Sequence, residues 1–379
     1  MDIQKLREEI NSIDDKMVEL FCRRMETAQK IAEYKKENNL PVFDRTRERE
    51  VLYRLTDSVP KELESYTKAL YATLFEVSKT HQLSVLHNQS PLAEKIRTAI
   101  TETAPEFPAR ATIACQGTEG AYSQCACDRM FPYPSILYVD SFNAVFRAVD
   151  SGLCQYGILP VENSTAGSVT AVYELMQKYK FHIVKSTKLF INHTLLACHG
   201  TALSDVKEIF SHEQALHQCS DYTAKLPGVK VTVCKNTAIA ARDLAASGRT
   251  DAAVICSSDC ADIYNLSVLA TGISNTQNNY TRFICISKNL EIYPGADRTS
   301  LMVRLPHKPG TLYSLLSRFN ALGVNLTKLE SRPVIGSNFE FMFYFDIESS
   351  VYTPQFSELL SQLEYELPEM TYLGSYHES

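Results

Sequence analysis

The N-terminal stretch constrains the chain most. Ile3, Leu6, Ile10, Ile13, Met17 and Leu20 recur three and four apart, and no Gly or Pro interrupts the chain before Pro41. This spacing puts the apolar side chains on one stripe and predicts a single helix of about 35 residues, longer than a small domain needs. Pro41 ends this helix or follows its end. Asp44 stands where it can cap a short second helix, and a third is predicted from about Glu62 to Leu86. Residues 1–58 carry 12 basic and 13 acidic side chains, whereas the remaining 321 carry only 57 charges. That shift marks a domain boundary near 90–110, where TETAPEFPAR supplies Pro and polar residues for a linker over 91–109.

Residues 110–288 read differently. ATIAC, QYGILP, KVTVC and DAAVIC are strand-like, and helix-period segments such as SFNAVFRAV and NTAIAARDLA lie between them. The alternation predicts an α/β domain with a largely parallel sheet. From about Thr299, SLMVRL, a helix after Pro309-Gly310, NLTKLE, FEFMFYFDI, a helix from Pro354 and TYLGSY give βαββαβ, a ferredoxin-like α+β plait over 297–379. The chain is therefore multidomain, with an all-α block over 1–90 first.

The 379 residues carry a net charge of −6, so no global basic field recruits nucleic acid or an anionic membrane. The N-terminus is polar and no apolar run approaches the roughly 18 residues of a span, which predicts neither secretory signal nor membrane anchor. Eleven scattered cysteines without a C-x-x-C pair read as reduced thiols in a cytoplasmic protein, not as a disulfide framework or zinc site. Neither metal nor organic cofactor is expected.

The heptad through Ile3, Ile10 and Met17 arrives at Arg24 before Ile31. A guanidinium on a core stripe must meet an anion, either a neighbouring carboxylate or a ligand. Arg7 and Lys35 flank the stripe, roughly 42 Å apart on one helix, so both serve one small molecule only if Arg7 comes from a second copy. Arg24 and Lys35 are about 16 Å apart and can converge. Ser78 and Gln82 share a face of the third helix. With LREEI, the Arg24 and Lys35 spacing, DRTRERE and the Ser78/Gln82 pair in order, the block resembles the all-helical chorismate mutases over about residues 1–87. The resemblance implies a homodimer in which Arg24, Arg47 and the second copy's Arg7 hold the two carboxylates of chorismate. Lys35 and Gln82 would face the breaking ether oxygen, Asp44 and Glu48 the ring hydroxyl, and Ser78 a carboxylate. The rearrangement to prephenate needs no nucleophile or base, only a held conformer and stabilised charge on the ether oxygen.

Polar stretches interrupt the second block at Gly117–Ser123, Val161–Ser168, Ser211–Cys219 and Asn279–Phe283. Singly each is weak evidence, since Gly with Ser or Thr in a loop is more often just a turn or a helix cap. G-T-E-G-A-Y-S lacks the G-x-G-x-x-G and Walker spacings, and Ser211-His212 lacks a G-x-S-x-G elbow, which excludes dinucleotide, ATP and hydrolase readings. Together, Y-G-I-L-P-V-E-N-S, S-H-x-Q-A-L-x-Q-C and T-R-F resemble the prephenate dehydratases. The resemblance implies two lobes like those of periplasmic binding proteins and a site in the cleft between them. There prephenate would lose carbon dioxide and its ring hydroxyl to give phenylpyruvate. Thr281 is the implied donor to the leaving hydroxyl. A threonine is a poor acid alone and needs concerted transfer or neighbouring donors. Asn163, Ser164, Ser211 and Gln218 would orient the substrate, and Arg282 would bind or position a carboxylate unless it serves a structural ion pair. Glu213 stands where the family commonly has Pro.

The third block resembles ACT domains on two motifs, Pro309-Gly310-Thr311-Leu312 and Leu329-Glu330-Ser331-Arg332-Pro333. In the dehydratases this pair implies a site for L-phenylalanine as an allosteric inhibitor, made by Gly310, Thr311, Leu312, Glu330, Ser331 and Arg332 between two such domains. The expected activity is thus chorismate to phenylpyruvate in two steps with feedback, in a homodimer or a tetramer. Two rival readings are a non-catalytic amino-acid sensor and a dehydratase whose helical block only dimerises.

Overall fold

The computed structural model describes residues 2–38, 40, 44–86, 90–334 and 340–379. Asp2 opens α1 (Ile3–Glu37) by accepting the Gln4 backbone N–H at 3.0 Å, and Lys35 and Lys36 sit in the last turn, where cations suit the helix dipole. The 35-residue length agrees with the apolar pattern, while Pro41 lies outside the described residues. Asp44 caps α2 (Arg45–Asp57) as expected, accepting the Arg47 N–H at 2.9 Å, and α3 (Glu64–Leu86) follows a 3-10 turn. Along α1 only Ala28 and Ala32 are buried, where the helix packs on α3. Its apolar stripe stays open, with Ile10 57% and Met17 50% exposed.

The segment read as a linker folds. Ser90 accepts the Ala93 N–H, Pro91 takes the first helical position, and α4 (Pro91–Glu102) follows. Leu92, Ile96 and Ala99 repeat at helical spacing and are buried against the C-terminal block. Of the segment 91–109, the Pro-rich signal belongs only to the residues after this helix.

Next come β1 (Arg110–Gln116), α5 (Tyr122–Met130), β2 (Tyr133–Val139), α6 (Phe142–Asp150), β3 (Tyr156–Asn163), β4 (Gly167–Ser168), α7 (Thr170–Tyr179) and β5 (His182–Phe190). The chain then enters β6 (His193–Ala197), β7 (Glu208–His212), α8 (Glu213–Gln218), α9 (Ser220–Thr223), β8 (Lys230–Cys234), α10 (Thr237–Ser247), β9 (Ala252–Ser257), α11 (Asp259–Ile263) and β10 (Ser267–Ala270). It returns through β11 (Tyr280–Ser287). Two sheets result, β2-β1-β3-β11-β5 and β10-β6-β9-β7-β8, one in each lobe.

The first sheet is mixed where a largely parallel one was expected. β11 runs antiparallel to β3 and β5, with Tyr280 opposite Phe190. The reason is topological. The chain leaves the first lobe at the end of β5 and re-enters at the same end of the sheet, between β3 and β5. The two crossovers lie side by side, and the Ile191 N–H donates to the Asn279 carbonyl at 2.7 Å.

The C-terminal block is β12 (Arg298–Leu305), α12 (Thr311–Ala321), β13 (Asn325–Pro333), β14 (Phe341–Glu348), α13 (Pro354–Glu366) and β15 (Glu369–Tyr376), in sheet order β13-β14-β12-β15. All pairings are antiparallel, which is the expected βαββαβ plait. It docks closely on the first lobe. A Cβ on Gly374 would stand 2.3 Å from the Ile183 carbonyl, and the Ser379 N–H donates to the Ser186 carbonyl on β5 at 2.9 Å.

Candidate active sites

Arg24 turns from α1 onto α3. Its guanidinium donates to the Leu74 carbonyl at 3.3 Å and to the Ser78 hydroxyl, and lies 5.9 Å from the Phe75 ring centroid. Ser78 donates its own hydrogen to the Leu74 carbonyl at 2.8 Å, so its oxygen can accept from Arg24. These partners are neutral, and among the described residues no carboxylate pairs with Arg24. Burial pulls its pKa down. A half-buried cation among neutral groups is ready for an anionic ligand.

The other helical candidates divide. Lys35 and Gln82 are half-buried on α1 and α3. Glu48 is held by Lys79 at 2.9 Å, and Lys79 also reaches Glu76 at 3.0 Å. Arg47 pairs with exposed Glu50 at 3.1 Å, and the Asp44 carboxylate is engaged as the helix cap. Arg7 is exposed and about 26 Å along α1 from Arg24, so one copy does not bring them together. A cavity of about 1020 Å3 opens between α2, α3, α12 and α13, lined among others by Glu48, Glu76, Lys79, Gly310, Thr311 and Arg318.

A second constellation forms where the crossovers meet the lobes. Asn163, at the end of β3, accepts the backbone N–H groups of Thr165 at 3.1 Å and Ala166 at 2.9 Å on Oδ1. Its amide nitrogen therefore faces the other way, donating to Thr281 Oγ1 at 2.9 Å and Asn279 Oδ1 at 2.7 Å. Gln218, at the end of α8, joins the group. It receives Asn279 Nδ2 at 3.1 Å, donates to Thr165 Oγ1 at 3.0 Å, and lies 2.9 Å from His193 Nε2. Tyr122 closes the far side, its hydroxyl 3.2 Å from His193 Nδ1 and 3.0 Å from the Asn192 carbonyl. Burial raises the Tyr122 pKa and lowers that of His193. The loop before α5 leans on the second lobe. A Cβ on Gly120 (φ 82°) would meet Cys260 Sγ at 2.8 Å, and the Gly120 carbonyl accepts the Ser257 hydroxyl at 2.8 Å.

Thr281, Asn163 and Gln218 are thus brought together. Ser164 clamps the return crossover, donating to the Asn278 carbonyl at 2.6 Å and accepting the Tyr280 N–H at 2.9 Å. Ser211 is fully buried and donates to the Ile255 carbonyl at 2.5 Å. Arg282 does not join them. Neighbours on a strand point to opposite faces, so Arg282 turns away from Thr281 to pair with Asp346 of β14 and, at 3.6 Å, with Glu162. Asn279, Thr165, Tyr122 and His193 were not singled out from the sequence. The first three lie inside the quoted polar stretches, whereas His193 sits within the apolar run INHTLLA and gives no signal.

In the plait, Gly310 (φ 87°) starts α12 and Thr311 donates to the Lys308 carbonyl at 2.9 Å, with Leu312 against the core. Glu330 accepts the Ser168 hydroxyl and pairs with Lys328 at 3.3 Å and with Arg332. Ser331 is exposed. Leu305 and Pro333 both pair with Phe341, which places the two motifs at one end of the sheet. Among the described residues no group of three or more His, Cys, Asp or Glu is placed to hold a metal ion, and no helix is long and apolar enough to cross a membrane. All eleven cysteines are free.

Two family models match the chain. Residues 6–83 match chorismate mutase type II, and residues 113–291 match prephenate dehydratase. An arogenate dehydratase/prephenate dehydratase of Arabidopsis thaliana is 36% identical over 279 residues, 70% of this chain and 73% of its own. The chain belongs to the prephenate dehydratase family. To its dehydratase module it adds the mutase one. The bifunctional chorismate mutase/prephenate dehydratase of Escherichia coli is 29% identical across 98% of this chain and 95% of its own. Both catalytic modules of a bifunctional chorismate mutase/prephenate dehydratase are therefore present in one polypeptide. Among solved structures, the prephenate dehydratase of Arthrobacter aurescens in complex with L-Phe superposes with a TM-score of 0.64 at 29% identity, covering 70% of this chain and 89% of that one. GqqA, a quorum quenching acylase, has the same TM-score at 31% identity, covering 71% and 98%.

Proposed function

We propose that Thr281 delivers its hydroxyl hydrogen to the departing ring hydroxyl of prephenate. The observation that carries this is the oriented Asn163 amide. Because Asn163 donates to Thr281 Oγ1, the threonine oxygen is an acceptor there, and among the described residues nothing takes its hydrogen. The same amide stabilises negative charge building on that oxygen, the support a weak acid requires. Prephenate and one proton become phenylpyruvate, carbon dioxide and water, with aromatisation as the driving force.

In the helical block, Arg24 and Arg47 hold the carboxylates of chorismate, and Lys35 and Gln82 stabilise charge on the breaking ether oxygen. Asp44 and Glu48 meet the ring hydroxyl and Ser78 a carboxylate. The uncovered stripe of α1 supports a second copy packing there and lending its Arg7. The plait acts as an ACT domain that takes L-phenylalanine through Gly310–Leu312 and Glu330–Arg332. The L-Phe complex of the Arthrobacter enzyme supports this. L-Phenylalanine then inhibits by the difference in its affinity for two states of the enzyme. Free thiols throughout support a reducing, cytoplasmic setting.

The test supplies chorismate alone and follows chorismate, prephenate and phenylpyruvate with and without L-phenylalanine. Phenylpyruvate suppressed by L-phenylalanine is expected. Thr281→Ala should abolish dehydration and spare the mutase, and Lys35→Ala should do the reverse when prephenate is supplied. Equal loss of both activities in a folded variant would overturn the assignment.

A further inference from the structure

The hydrogen bonds around Asn163 have a direction that extends to a residue outside the substrate-facing set. The direction is fixed at a backbone anchor. The Thr165 and Ala166 N–H groups can only donate, so Asn163 Oδ1 is an acceptor and Nδ2 a donor. Asn279 then offers Oδ1 to Asn163, and its Nδ2 must face Gln218 Oε1. Gln218 Nε2 donates to Thr165 Oγ1, whose own hydrogen goes to Asn163 Oδ1 at 2.7 Å. The circuit closes without a clash of donors. It leaves Gln218 Oε1 facing His193 Nε2 at 2.9 Å, and an oxygen there requires an N–H on that nitrogen.

We infer that His193 is a positioning residue of the dehydratase site. As the Nε2–H tautomer it donates to Gln218 and holds the Gln218 and Asn279 amides in the orientation that meets the Asn163 nitrogen, whose own direction the backbone sets. Nδ1 then carries the lone pair and shares the single Tyr122 hydroxyl hydrogen, at 3.2 Å, with the Asn192 carbonyl, which accepts it at 3.0 Å. The ring is 2% exposed, and its burial favours the neutral form that this arrangement needs. His193 does not touch Thr281. It acts through Gln218 and Asn279. Without its N–H, Gln218 Oε1 keeps one donor, and a flipped Gln218 amide meets one opposing nitrogen, that of Asn279, where it met two.

The role in catalysis rests on Thr281 acting on the leaving hydroxyl, whereas the tautomer does not, so two measurements separate the claims. The first is a two-bond 1H–15N correlation of the imidazole nitrogens in the full chain near neutral pH, with His193 assigned by its absence from His193→Gln. A neutral ring protonated on Nε2 is expected, and protonation on Nδ1 or an imidazolium overturns the inference. The second compares His193→Gln, whose amide nitrogen can replace Nε2–H, with His193→Asn and His193→Phe, which have no donor there. The Gln variant should keep dehydratase kcat within about three-fold. The others should lose about ten-fold or more in kcat with KM for prephenate little changed, as expected for one lost buried hydrogen bond. Mutase activity in the same samples reports folding and should stay constant. Equal kcat in the Gln and Phe variants, or a loss confined to KM, refutes the positioning role. A wild-type enzyme that leaves prephenate unchanged refutes the dehydratase reading and leaves the tautomer standing.

Discussion

Replacing Asp346 by Ala should destabilise the junction between the first lobe and the plait more than any surface change. Both side chains of the Arg282–Asp346 pair are only 9% exposed, and Asp346 also accepts the Ser300 hydroxyl at 2.5 Å. Burial alone would lower the Arg282 pKa, but the charge of Asp346 outweighs it and holds the pKa well above the usual value. Arginine is in effect always protonated, so the guanidinium stays charged even when its partner is removed. Glu162 is a poor replacement, since it is 3.6 Å away and 41% exposed. Breaking one side of a buried pair costs about 3–5 kcal/mol, because the remaining ion keeps its desolvation penalty.

For a unit of this size each kcal/mol moves the thermal midpoint by about 2–4 °C, so Asp346→Ala should lower it by about 6–20 °C. Calorimetry of the full chain, with dehydratase activity followed through the same transition, identifies which transition moves. Arg282→Met combined with Asp346→Leu removes both ions and should recover much of the loss. Below the transition, KM for prephenate in Asp346→Ala should match the wild type, since Arg282 faces the plait. A midpoint shift of less than about 2 °C, or a double variant no better than the single one, would refute the reasoning.

Two further outcomes follow from the helices. Burial pushes Glu76 up, but hydrogen bonds from Arg318, Ser314 and Lys79 and the charge of Lys79 outweigh it and hold the carboxyl below the usual range. A depressed carboxyl adds stability above its unfolded pKa, about 4.3, and loses it as pH falls through the folded value. The thermal midpoint should therefore fall below about pH 4, and less steeply in Glu76→Gln. Glu366, raised by burial, runs the other way but is common to both proteins, so parallel curves would refute the claim. Glu213→Pro should leave dehydratase kcat within about two-fold and stability within about 0.5 kcal/mol. Glu213 is exposed at the first position of α8, where Pro lacks only an N–H that the helix leaves unused and Glu suits the dipole. Steady-state kinetics and a melt on that variant check it, and a large change in either would show that the carboxylate faces the substrate.

What the sequence made legible was local. Asp44 before a charged helix, the apolar stripe of α1 and the apolar runs of β12 and β14 each declare themselves within a few residues. Ser90-Pro91 with Leu92, Ile96 and Ala99 also formed such a signal, and Pro105 and Pro108 downstream obscured it. The amide circuit was not legible, because Asn163, Gln218 and Asn279 meet only after the chain has crossed between lobes twice. Arg282 is the instructive case, since its position was readable. If Thr281 faces the cleft, period-two alternation on β11 sends Arg282 to the opposite face, whatever partner waits there. The T-R-F motif is then two sites on one strand, a hydroxyl for the cleft and a cation for the plait. A resemblance that matches all three residues cannot separate those roles, but the geometry of a strand does.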